Sequence, residues 1–127
     1  MSARLAMAMP YRICVYPSPD DPDLFIAHCL ELDLIGVGGC VATALTELLE
    51  NIDTQRDICR RTDAQFFHPA PPVIWQRYKA ALKANRKICD ELMERVIAQA
   101  NRRLGHNAPT IDRVLATKKV PRQYLAV

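Results

Sequence analysis

At 127 residues, half of them apolar and 24% charged, the chain has the length and composition of one folded domain, which excludes wholesale disorder. No apolar run approaches the roughly 20 residues of a membrane helix. The opening MSARLAMAMP is too short and too weakly basic for a secretory leader, so a cytoplasmic protein is expected. The net charge of +3 hides an asymmetry. Residues 1–63 hold five arginines against ten acids, a balance of −5, whereas residues 64–127 hold twelve Lys and Arg against four acids, a balance of +8.

Residues 1–10 read as an N-terminal extension. YRICVYP, residues 11–17, has the β-branched and aromatic content of a strand, with Tyr11, Ile13 and Val15 on one face and Arg12, Cys14 and Tyr16 on the other. SPDDPD at 18–23 supplies turn residues. LFIAHCL at 24–30 is apolar on both faces except at His28, as a central strand would be. LIGV at 34–37 reads as a third strand, with Gly38 and Gly39 allowing a positive-φ turn after it. Strands this close in sequence predict an antiparallel meander.

From Val41 the period changes. Val41, Ala44, Leu45, Leu48, Leu49 and Ile52 follow the i, i+3, i+4, i+7 spacing of an amphipathic helix, expected to run to about Arg61 and to cover one face of the sheet. AQFFHPAPP at 64–72 then offers a short fourth strand at 65–68 and a proline stop.

Residues 73–104 predict one long amphipathic helix, with Pro72 suited to its start and Gly105 to its C-terminal cap. Trp75, Tyr78, Leu82, Asn85, Cys89, Leu92 and Val96 fall on alternating steps of three and four, a heptad seam with a polar interruption at Asn85. Ala81, Ile88, Met93 and Ile97 widen the stripe. A stripe longer than a three-stranded sheet can cover favours burial against a second copy or a partner helix, with a homodimer anchored by Trp75 and Tyr78 expected first; the alternative is a helix that kinks or folds back along its own domain. Residues 105–127 read as a basic tail with one helical turn after Thr110. The expected fold class is α+β. An antiparallel sheet of three strands, or four with 65–68, packs on one helix within 11–72, and the long helix is appended.

The string AHCLELDLIGVGGCVATALTELLEN begins at Ala27. Ala27, Cys29, Glu31 and Leu32 match a strand ending "A-x-C-P-E-L"; Asp33, Leu34 and Gly38 match "D-L-x-x-x-G"; Ala44 and Leu45 match a helix opening "D-T-x-x-E-A-L". Together these resemble the hallmark of HicB-like antitoxins over roughly the 50 residues of 11–61. The resemblance implies a β-β-β-α scaffold, a small toxin protein as partner, and toxin neutralisation as function. Leu30 stands where the family has proline, and Gly39, Cys40 and Thr43 replace the residues of its capping box. That loss weakens the helix start by roughly 0.5–2 kcal/mol. Where such antitoxins commonly append a DNA-binding module, this chain has the long helix.

The five cysteines (14, 29, 40, 59 and 89) form no CxxC pair and read as reduced thiols. His28, Cys29 and Cys40 are the nearest approach to a nucleophile or metal set, but adjacent strand residues point to opposite faces. The family resembles part of an RNase H sheet, whose chemistry needs converging carboxylates. Here Asp20, Asp21 and Asp23 lie in a loop while Glu31 and Asp33 stand alone. No catalytic residue, metal or cofactor is therefore expected, and a small Cys- or carboxylate-dependent hydrolase ranks last. Protein–protein interaction is the leading expectation. The alternative is nucleic-acid binding through Lys79, Lys83 and Arg86 on one helical face, with Arg102, Arg103, Lys118 and Lys119. Aromatics are sparse in that half, so base stacking is not expected.

Overall fold

A computed structural model of the chain describes residues 10–105 and 108–126; residues 1–9 of the N-terminal extension lie outside the described residues. Strands β1 (Tyr11–Pro17), β2 (Phe25–Cys29) and β3 (Leu34–Gly38) form the antiparallel meander that their spacing dictates, with Cys14 opposite His28 and His28 opposite Ile35. Helix α1 (Val41–Thr62) buries Val41, Ala44, Leu45, Leu48, Leu49, Ile52 and Cys59, the apolar stripe of the sequence.

Gly38 and Gly39 do not serve as left-handed turn residues: among the described glycines only Gly105 has positive φ. Gly38 and Gly36 instead let α1 come down onto β3. A Cβ at Gly36 would collide with the backbone of Ala44 and Leu48, and one at Gly38 with Thr43. At the start of α1, Cys40 makes no side-chain cap bond to the backbone. The orphan N–H of Ala42 donates instead to the carbonyl of Leu125, at 2.8 Å.

The expected long helix is two. Helix α2 (Pro72–Lys83) ends before Asn85, which takes the left-handed conformation at φ 56°, and helix α3 (Asp90–Leu104) begins after a short extended segment. Asn is among the few residues that enter this region at low cost. The extended segment pairs with a fourth strand, β4 (Ile111–Ala116), through Ile88 N–H to Val114 O and Ala116 N–H to Arg86 O, both 2.9 Å. Strand β4 stands where a basic tail with a helical turn was expected, and residues 65–68 form no strand. Among the described residues the sheet is therefore four-stranded and mixed, in the order β3-β2-β1-β4 with β4 parallel to β1.

This arrangement dissolves the heptad seam. Ile74, Tyr78 and Ala81 of α2 pack with Cys14, Leu30 and Leu115 on one face of the sheet. Ile88, Leu92, Val96 and Ala100 join α1, Ile13, Val15, Ala27 and Cys29 on the other. Leu82, Asn85 and Cys89 are exposed, and Trp75 is half-buried beneath Arg12, whose guanidinium carbon lies 4.7 Å from the ring centroid. Two faces of one sheet take up most of the stripe, and Leu82 stays 44% exposed.

Both sheet edges are occupied. At β3, Val37 N–H donates to Glu47 Oε2 (2.7 Å) and Asn51 Nδ2 donates to Ile35 O (2.8 Å), so α1 side chains satisfy outward backbone groups. At β4 the segment 86–88 does the same. Strand addition is thus blocked at these positions.

Candidate functional site

Because β1 and β4 are parallel, Pro17 and Ala116 end at the same side of the sheet. The carboxyl ends of parallel strands are where α/β sheets characteristically hold ligands, since the chain diverges there and leaves a crevice. Lys118 and Lys119 leave β4 at this end, Arg86 and Lys87 arrive from α2, and Arg77 reaches in from the helix itself. A 3₁₀ helix, Arg122–Tyr124, closes the far side.

Each cation has a defined setting. The Arg86 guanidinium donates to the carbonyl of Thr117 at 3.0 Å, which ties the α2–α3 connection to the end of β4. Lys87 pairs with Asp90 at 3.0 Å. Arg77 lies over the Tyr16 ring, 5.3 Å from its centroid. Among the described residues no ion pair engages Arg77, Lys118 or Lys119.

Hollows surround this end. One of about 510 Å³ lies between residues 84–89 and 118–120. A second of about 470 Å³ lies between residues 16–19 and Arg77. A third, a slot of about 180 Å³, is walled by Val15, Pro17, Phe25, Val120, Pro121 and Tyr124. Lys118 lines all three. Such a constellation suits an anion: Arg77, Arg86, Lys118 and Lys119 line it, and Asp90 is already paired with Lys87.

Of the basic residues singled out by sequence, Arg86, Lys118 and Lys119 converge here. Lys79 and Lys83 sit exposed on α2, whereas Arg102 and Arg103 belong to the opposite end of α3, where Arg103 pairs with Glu50 at 2.7 Å. Sequence reasoning missed Arg77 and the aromatic residues Tyr16, Phe25 and Tyr124. A lone Tyr three residues past a Lys-Lys-Val-Pro run was the available signal.

On the α2 face of the sheet, Tyr16 Oη lies 2.7 Å from His28 Nδ1, and His28 Nε2 lies 2.6 Å from Asp33 Oδ1. With the ring neutral, Nε2–H donates to Asp33 and Nδ1 accepts from the Tyr16 hydroxyl. Asp33 holds this position at φ 53°. Both ring nitrogens are thereby engaged, which leaves neither to activate Cys14 across the strand pair. Burial pushes the Cys14 thiol up to about 11, so it stays protonated at neutral pH. Cys29 faces the opposite core, where burial pushes it up to about 12. Nearby, Glu31 clamps Arg12, accepting from its backbone N–H at 2.9 Å and from Nε at 2.7 Å. Among the described residues no group of three His, Cys, Asp or Glu is placed to hold a metal ion. No helix among them is long and apolar enough to cross a membrane.

No family model, curated protein or solved structure matches the chain.

Proposed function

We propose that this chain is a non-enzymatic binding protein that holds the phosphate backbone of a nucleic acid at the end of the sheet where β1 and β4 terminate. What carries the reading is the convergence of Arg77, Arg86, Lys118 and Lys119 on adjoining hollows, none of them in an ion pair among the described residues. Phosphate contacts need cations that are clustered and not neutralised by the protein itself. The experiment is a titration of labelled oligonucleotide at two salt concentrations. Binding must weaken with salt at a log–log slope of roughly −0.7 to −0.9 per phosphate contacted. A Lys118→Glu/Lys119→Glu variant should lose it. Failure of the wild-type protein to bind at low salt would remove the reading.

A second reading, a protein partner, is supported by one observation. Helix α2 covers β1 and β4, and on the same face Ile35 of β3 remains 41% exposed. A HicB-like scaffold facing a small toxin would use such a surface, as would self-association. Light scattering on the wild type and on Ile35→Asp tests self-association, which a wild-type monomer excludes. Co-expression with the product of an adjacent toxin-like gene tests neutralisation, which unrelieved growth arrest excludes.

A further inference from the structure

We infer that the nucleic acid held at this end is single-stranded, with one base laid against Tyr124 in the apolar slot beside Lys118 and Lys119. The inference rests on the phosphate-binding reading above and adds to it the form of the strand. The slot's roughly 180 Å³ falls below the ~300 Å³ at which pockets for whole small molecules begin. It suits a single planar ring system.

The ring that would stack is presented rather than buried: Tyr124 is 43% exposed, although one side leans on Phe25 at a centroid distance of 6.1 Å. Its backbone is fixed, since Tyr124 N–H donates to Pro121 O at 2.9 Å and Leu125 O is itself held by Ala42. A fixed, half-exposed aromatic adjoining unneutralised lysines combines a stacking surface with backbone charge, as single-strand sites do. Bases within a duplex are already stacked on each other and offer no free face to a lone ring. An acidic peptide could use the cations but carries no planar group on each unit to fill the slot.

The test compares a short unstructured oligonucleotide, as RNA and as DNA, with the same sequence annealed to its complement. Wild type, Tyr124→Ala, Tyr124→Phe and Lys118→Glu are measured by fluorescence anisotropy, with thermal melts to confirm folding. Single strand should bind about tenfold more tightly than duplex. Tyr124→Ala should lose about that factor for the single strand alone, and Tyr124→Phe, which keeps the ring, should retain it. If single strand and duplex bind alike and Tyr124→Ala changes neither, while Lys118→Glu weakens both, the stacking inference falls and the phosphate reading stands. If nothing binds at low salt, both fall. A mononucleotide or an acidic peptide binding as tightly as the oligonucleotide also overturns the inference.

Discussion

The N–H of Ala42 in the first turn of α1 donates to the carbonyl of Leu125, 83 positions later, at 2.8 Å. The C-terminal segment thus supplies the cap that Gly39 and Cys40 do not, and the same contact steadies the turn that carries Tyr124. A chain stopped after Val120 should lose about 2–3 kcal/mol, because it forfeits one hydrogen bond, the part-buried Leu125 side chain and the Tyr124 ring against Phe25. Urea denaturation measures it. Unchanged stability would mean that α1 is capped by another group.

Asn85 separates α2 from α3 through its left-handed backbone. Asn85→Gly should leave stability within a few tenths of a kcal/mol, because glycine enters that region freely. Asn85→Val should cost roughly 1–2 kcal/mol and leave the helices separate. Equal stability of the two variants would contradict the backbone account.

Gly36 is where α1 rests on β3. Gly36→Ala places a methyl against the backbone of Ala44 and Leu48 and should destabilise by about 1–3 kcal/mol. Gly39→Ala is the control: open space surrounds that position and its φ is not positive, so its melting temperature should stay near wild type.

The buried thiols predict alkaline sensitivity. Cys14 and Cys29 keep their protons in the folded state to about 11 and about 12, whereas unfolded they ionise near 9. Their contribution is therefore fully present below pH 9 and is lost as pH rises, by about 1.4 kcal/mol per pH unit for each thiol. Burial also raises Tyr16 and Tyr78, which steepens the fall above pH 10. Denaturation midpoints from pH 7 to 11 should show it, and Cys14→Ala should flatten the slope whatever its baseline stability. A slope that Cys14→Ala leaves unchanged would mean that this thiol ionises in the folded protein.

The meander and α1 were legible because their signals are local: alternation over residues 11–17 and the stripe from Val41 to Ile52 each specify a face without reference to the rest of the chain. The break at Asn85 was not. Residues 84–89 leave the helical path, yet the spacing from Leu82 to Cys89 still satisfies a heptad, so two short helices imitate one long one. Strand β4 was hidden for a different reason. Asp112 and Arg113 give IDRVLA the look of a polar tail, and the partner that specifies its pairing is β1, far upstream. The basic residues were visible, but only the fold decides that Arg86 and Lys118 line one hollow while Arg103 turns to Glu50. The aromatic slot was beyond reach because it assembles residues from the end of β1, the start of β2 and the segment from Lys118 to Tyr124.

Tyr11 pairs with Ile111, a hundred positions later. During translation at roughly 5–20 residues per second, β1 emerges about 5–20 s before the strand that completes its second side. Throughout that interval β1 is an open edge of the nascent meander, available to the same strand on a neighbouring ribosome. Contacts this distant also slow the final closure. An edge-shielding chaperone acting before release should therefore raise the yield, and a slowed ribosome, which lengthens the exposed interval, should lower it.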